Sequence, residues 1–352
     1  MRGSTDMHAV LVREGKDFYY QTVAKPEAGE GEIIIKIEAA GICAADRKIF
    51  SGDHPWELPD PYFPGHEYVG TVMEFGAGAS EATGLQLDDR ITAEILVPCW
   101  ECWFCRRGVY HHCDKPGVCV GAWAEYLRIP RGALVHRIPA DLPVREAVLI
   151  EPLSCSIHAV NLARIELEDT VVVSGLGAIG MGALQVARLR TPRTLIGLDV
   201  NPHLLRRASQ LGADFVFNPL ELDVPAQIRD LTEGRGADIY IEASGAGASI
   251  QIGIECLRKA GRLVVFGVYA EKISVDFNQI SEFKELEIRG GHLSPNAFPL
   301  AIKYLSEHMV NADVMVTDEF PLAEYESAIK AKDRLDPPSI KTILYPEIPN
   351  GA

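Results

Sequence analysis

Short runs of alternating apolar and polar residues fill the first third of the chain, and glycine and proline break them up. Residues 8–12 (His-Ala-Val-Leu-Val), 32–39, 68–75 and 90–95 carry the period of two that marks strands. Gly29, Gly31, Pro59, Pro61, Pro64, Gly76 and Gly78 punctuate them. The pattern predicts a small β-barrel with long loops. From about residue 157 the pattern changes, and apolar strand-like runs alternate with helix-length segments. The runs are 170–174, 194–199, 214–217, 238–242, 262–266 and 286–289, and the best-marked helix spans 181–189. That alternation predicts βαβ units around a parallel sheet. Residues 297–308 and 322–332 read as helices, and 341–345 returns to strand.

A chain of 352 residues exceeds one ordinary domain, so two are expected. With 47% hydrophobic and 24% charged residues the composition is that of a soluble globular protein. The net charge of −15 disfavours nucleic acid and anionic membranes as partners. No apolar run approaches the ~18 residues of a membrane span, and residues 1–6 lack the apolar stretch of a signal peptide, so Met7 is read as the start of the first strand.

Four of the eight cysteines, Cys99, Cys102, Cys105 and Cys113, fall within fifteen residues as C-x2-C-x2-C-x7-C. Such spacing lets four thiolates converge on one tetrahedral Zn²⁺. A redox C-x-x-C needs only two of them, and no thioredoxin-like βαβ unit precedes the motif. The segment of about 96–116 is therefore read as a structural zinc lobe. A closed four-cysteine site has no open coordination position, so it explains no activity by itself. Thiols of this kind fit a reducing cytoplasm.

The strand-like Val171-Val172-Val173-Ser174 runs into Gly175-Leu176-Gly177-Ala178-Ile179-Gly180. A hydrophobic strand before this G-x-G-x-x-G and a helical pattern after it make a dinucleotide-binding fingerprint. The glycines admit a pyrophosphate to the backbone, and the helix N-terminus offers N–H donors to it. Asp199 closes the next strand, where it can hydrogen-bond a ribose diol and repel a 2′-phosphate. No Arg or Lys occupies 200–202, and Arg206 and Arg207 lie further along, so NAD is expected rather than NADP.

A second set of donors is scattered. Cys43 and Asp46 lie in Gly41-Ile-Cys-Ala-Ala-Asp, His66 and Glu67 in Gly65-His-Glu, and Glu151 precedes Pro152 just before the pattern changes. Singly these are a core cysteine, a capped histidine and a helix entrance. Together they offer the mixed N/S/O ligands of a catalytic zinc with room for substrate.

In the order and spacing of these motifs the chain resembles the zinc-dependent medium-chain dehydrogenases. Glu151 in an E-P-L-S stretch, where ethanol-type enzymes have cysteine, is similar to the sorbitol and other polyol dehydrogenases. The resemblance implies an α/β fold with a GroES-like barrel domain from 1–157 and 292–352 and a Rossmann domain from 158–291. It implies Cys43, His66 and Glu151 as ligands of the catalytic zinc. Glu67 becomes an outer or alternating ligand, and Asp46 orients His66. Two zinc ions, NAD and a homodimer or homotetramer follow from the same likeness.

Two departures stand out. Ala45 and Lys48 occupy the positions where the family carries its Ser/Thr and His proton relay. Lys48 is one replacement carrier; a surface lysine, with bulk water moving the proton, is the other reading. His292, Leu293 and Ser294 replace the Arg-Tyr pair of sorbitol-type pockets. The expected reaction is oxidation of a secondary hydroxyl of a four- to six-carbon polyol, such as erythritol, threitol, xylitol or sorbitol, to the ketose. A zinc alcohol or aldose dehydrogenase is the rival within the class, and a non-catalytic nucleotide-binding module the rival outside it.

Overall fold

The computed structural model describes residues 5–13, 17–52 and 57–347; the expectation for the amino-terminal stretch falls largely on residues 1–4, outside the described residues. Two large sheets organise the chain. The first is built around Ile33–Gly41, which pairs with Tyr68–Phe75 and Tyr126–Ile129 and, at its end, with Lys341–Tyr345. Arg90–Ala93, Val135–Arg137 and Val316–Pro321 complete it. The last two strands of the chain thus join the first third in one sheet. Its strands alternate or run apolar according to whether one face or both are covered.

The second sheet is wholly parallel. Its strands lie in the order 215–217, 194–198, 170–174, 237–242, 257–265, 287–290. The order reverses at Thr170–Ser174, and a crevice at such a reversal is where open α/β sheets bind ligands. Val171, Val172 and Val173 are fully buried. A strand covered on both faces has no polar side to alternate with, which is why it reads as an unbroken apolar run.

Against the strands Ala237–Glu242 and Leu257–Val265 of the second sheet lies the helix Ile150–Ala163, apolar on nearly every side and buried over most of its length. It packs on the helices Ala178–Arg188 and Phe298–Ser306.

Several elements differ from the sequence pattern. Asp17–Ala24 is a strand, paired residue for residue with Asp6–Arg13. Its side chains are exposed or half-buried throughout, so no apolar period marks it. The run predicted over 90–95 ends at Ala93, although Glu94 N–H still donates to Leu134 O (2.9 Å), the next position along the same pairing. The strand predicted at 262–266 begins at Leu257 and shifts register against its neighbour between Leu257 and Arg262. The helix predicted over 322–332 is a 3₁₀ turn at Leu322–Glu324 followed by the helix Tyr325–Ala331.

Candidate active site and metal centres

The cysteine lobe is a loop with two single 3₁₀ turns, Cys105–Arg107 and Tyr110–His112. Its four sulfurs all lie within 4.8 Å of one another, and none is in a disulfide. Cys99 and Cys105 sulfurs are 4.0 Å apart. Zn–S bonds of about 2.3 Å make a tetrahedron with edges of about 3.8 Å, so the spacing fits a shared ion. Backbone N–H groups turn inward onto the sulfurs: Cys99 N to Cys113 Sγ (3.3 Å), Cys102 N to Cys99 Sγ (3.4 Å) and Lys115 N to Cys113 Sγ (3.4 Å). Such donors favour thiolate, and those from Asp114 and Cys105 bring the Cys102 thiol down to about 6. Tyr110 ties the lobe to the body, donating from its hydroxyl to Glu94 (2.9 Å) and accepting from Asn296 N (2.8 Å).

The mixed site is assembled from distant segments. Cys43 stands at the N-cap of the helix Ala44–Ser51, held there because its N–H donates to Asp46 Oδ2 (2.8 Å). His66 follows Gly65, whose φ of 94° is left-handed. A side chain at 65 would also run into buried Trp123, so glycine alone lets the chain turn the imidazole inward. Donor atoms of Cys43, His66 and Glu67 all lie within 4.8 Å of one another. Asp46 Oδ1 is buried, has no hydrogen-bond partner, and lies 3.9 Å from His66 Nδ1. Glu151 enters from the first turn of Ile150–Ala163 and accepts from the Cys155 thiol (3.6 Å).

The two glutamates differ in kind. Glu67 is gripped through both oxygens by the ammonium of Lys341, at 2.6 and 2.5 Å, and both side chains are buried. Burial alone would raise the Glu67 carboxyl; Lys341, then His66, outweigh it and hold Glu67 below its ordinary value. Glu151 is 6% exposed. Burial pushes its carboxyl up to about 7 in spite of His66. Burial likewise raises Asp46. His66 loses basicity by burial but regains more from Cys43, Asp46 and Glu151, and ends well above its ordinary value. Without a cation, burial thus favours the protonated forms of Glu151 and Asp46, and the surrounding acids favour that of His66. A divalent metal ion would take over that charge, and the donor set fits zinc.

At the fingerprint, Gly175 has φ 84° and a Cβ there would come within 2.5 Å of the Ser244 backbone. A Cβ on Gly180 would strike the Gly175 carbonyl. Gly177 instead faces open space and caps the helix Ala178–Arg188, which places Ala178 and Ile179 in the first turn. Two glycines thus serve packing and one leaves room for a ligand, the division a pyrophosphate site requires. Asp199 follows the strand Thr194–Leu198. One of its oxygens accepts from Leu176 N (2.7 Å) and the other from Asn201 N (2.8 Å), so it fixes the glycine loop as well as facing the crevice end of the sheet. Lys48 sits half-buried in the last turn of Ala44–Ser51.

Sequence reasoning passed over Lys341. The signal was a lysine opening the apolar run Lys-Thr-Ile-Leu-Tyr, since a cation in a buried strand demands a partner. It also gave no role to Cys155, which lies one helical turn after Glu151 and donates to it (3.6 Å).

Comparison with known proteins agrees with this layout. The model of the alcohol dehydrogenase GroES-like domain matches residues 29–140, and that of zinc-binding dehydrogenases matches 178–307. The chain is 40% identical to an erythritol/L-threitol dehydrogenase of Mycolicibacterium smegmatis, over 92% of this chain and 93% of that one. It is 33% identical to a sorbitol dehydrogenase of Halalkalibacterium halodurans, over 94% and 96%. Among solved structures, a zinc-binding dehydrogenase of Sinorhizobium meliloti 1021 bound to NADP superposes with a TM-score of 0.90, at 27% identity, over 97% of this chain and all of that one.

Proposed function

This chain belongs to the zinc-binding dehydrogenase family and is an oxidoreductase, and from that premise we propose that it oxidises a secondary hydroxyl of a four- to six-carbon polyol to the ketose with NAD, reversibly. The observation that carries the reading is the cluster of Cys43, His66 and Glu67 donor atoms within 4.8 Å of one another, with the buried carboxyl of Glu151 close enough to act on His66. We assign Cys43, His66 and Glu151 as ligands of the catalytic zinc, and the four cysteines of the lobe as ligands of a structural one. Glu67, paired with Lys341 yet with a donor oxygen within 4.8 Å of those of Cys43 and His66, is assigned as the outer or alternating ligand. The polyol class is supported by the relatives named above, which match over more than nine-tenths of both chains.

Zinc at the mixed site supplies Lewis acidity toward the substrate hydroxyl, and the nicotinamide supplies the hydride acceptor. The protein supplies the rest. Asp46, 3.9 Å from His66 Nδ1, orients that ring and sets which nitrogen faces the site. Gly177 and the first turn of Ala178–Arg188 seat the pyrophosphate, and Asp199 receives the adenosine ribose, which favours NAD over NADP. With Ala45 in place of a hydroxyl residue, Lys48 is the residue we assign to carry the proton outward. Lys48→Met then lowers the oxidation rate by roughly 10²–10⁴-fold, and an unaltered pH–rate profile in that variant returns the task to bulk water.

We place the catalytic unit at 1–157 with 292–352 and the nucleotide-binding unit at 158–291, a division that falls inside the helix Ile150–Ala163. Eight unpaired cysteines support a reducing cytoplasmic setting, and a homodimer or homotetramer completes the reading. Among the described residues no helix is long and apolar enough to cross a membrane.

The test is a panel of polyols, aldoses and simple alcohols with NAD⁺, followed by NADH absorbance. Turnover of a polyol that stops on mild chelation and returns with Zn²⁺, while the protein stays folded, supports the reading. One zinc per chain, turnover indifferent to chelator, or a preference for NADP overturns the corresponding assignment.

A further inference from the structure

Four histidines meet beside the mixed site, and neither metal centre uses them. His111 and His112 end the cysteine lobe, with ring centroids 4.2 Å apart. His158, from the helix Ile150–Ala163, approaches His111 at 5.7 Å. His292, just beyond the strand Glu287–Gly290, stacks on His112 at 5.9 Å and 30°. Three segments widely separated in sequence therefore bring imidazoles to one place.

That place adjoins the carboxylate end of the mixed site. His158 lies seven residues after Glu151, two turns along the same helix face. His292 is two residues before the buried Ser294, which lies near enough to Cys155 to act on its thiol, and that thiol donates to Glu151 (3.6 Å). The same loop is pinned to the lobe where Asn296 N donates to Tyr110 (2.8 Å), next to His111. His111 Nδ1 is buried and lacks a hydrogen-bond partner. Buried polar atoms left open in this way call for a ligand group or a water.

A neutral imidazole offers one donor and one acceptor. A hydroxyl offers the same pair, so a group of neutral imidazoles suits a chain of hydroxyls better than an ammonium or a carboxylate does. Burial, and then the neighbouring histidines, lower His158 and His292 from their ordinary value, towards the neutral form.

We propose that His111, His112, His158 and His292 form the subsite for the hydroxyls beyond the one being oxidised, and that this subsite selects a polyhydroxy chain over a monoalcohol of the same length. The proposal rests on the polyol reading above. It also accounts for Leu293 and Ser294: a pocket that binds hydroxyls through histidines has no need of the Arg-Tyr pair.

The experiment compares erythritol and 2-butanol as substrates, with NAD⁺, in wild type, His292→Leu, His158→Leu and His292→Asn. Zinc content and melting temperature are measured for each. Each leucine variant raises the KM for erythritol by roughly five- to hundredfold, the range for a polar group left without its partner. The loss falls on KM more than on kcat, and 2-butanol shows no comparable loss. His292→Asn, which keeps a donor and an acceptor, recovers most of the erythritol KM. Wild type that prefers erythritol, with a preference unmoved in both leucine variants that keep two zinc ions and fold, overturns this assignment alone. Wild type that oxidises 2-butanol but no polyol overturns the polyol reading and this assignment with it.

Discussion

The two metal centres solve opposite problems. The cysteine lobe draws four identical soft donors from fifteen consecutive residues, and nearby backbone N–H groups steady the sulfurs. It needs little from the rest of the fold and leaves no position for a substrate. The mixed site brings Cys43, His66 and Glu67 together from separate segments, with Glu151 proposed as a further donor, and sets a thiol, an imidazole and carboxyls in a largely buried pocket where charge is costly. A site that must release and rebind a ligand is built on that tension. A site that only holds a loop is built without it.

The widest separation between the two centres comes from ligand loss. Glu151→Gln keeps the shape but removes the carboxylate, so catalytic zinc and turnover fall together, by about 10²-fold or more, while the lobe keeps its ion. Cys102→Ser does the reverse, with lobe zinc lost and a lower melting temperature. Metal analysis beside a melting curve checks both; Glu151→Gln with full zinc and full activity returns Glu151 to a helix-entrance role.

Next in size is the Lys341–Glu67 pair. Lys341→Met leaves a buried carboxylate without its cation and costs about 3–5 kcal/mol of stability. Adding Glu67→Gln restores most of that loss, because no charge then remains buried alone. Denaturant unfolding of the two single variants and the double variant reads the coupling, and simple additivity would show that the pair is not an energetic unit.

Asp199→Ser costs NAD about 1.5–3 kcal/mol for each charge-assisted hydrogen bond lost. Because Asp199 also holds Leu176 N and Asn201 N, NAD should weaken more than NADP improves. Titration of both cofactors measures the asymmetry.

The smallest effect is a pH dependence confined to the mixed site. Its Glu151 carboxyl is raised to about 7 by burial in the metal-free protein. Zinc binds the carboxylate, so below that pH a proton must leave first, and affinity for the ion falls by about tenfold per pH unit from this group alone. Above it the dependence on Glu151 levels off. Zinc uptake by chelated protein across pH 5–8 follows this curve, and Glu151→Gln flattens it.

What could be read from the chain divides along the same line as the two centres. The cysteine lobe and the glycine loop announce themselves because their spacing alone encodes convergence. Glu151 became a candidate only when set beside Cys43 and His66, and its assignment as a ligand rests on likeness to a family, since nothing local distinguishes a ligand from the start of a helix. Lys341 and Glu67 stand 274 positions apart, and no periodicity links them. The histidine cluster hides for the same reason: each member is unremarkable in its own segment. The strand Asp17–Ala24 escaped because half-exposed edges carry no apolar period.

The helix Ile150–Ala163 leaves one further mark. Glu151 occupies its first turn, and five residues on Ser156 donates to Ile179 O (2.9 Å), inside the first turn of the nucleotide-loop helix. A side chain on Gly182 would collide with that same Ser156 hydroxyl. For protein engineering this means the two halves do not separate cleanly at the division proposed above. A chimera joined at residue 158 would take Ser156 from one parent and Ile179 and Gly182 from the other, and would misalign the metal pocket with the cofactor. Recombination points placed before residue 144 or after residue 190 would carry this splice of helix, serine and glycine as one heritable block.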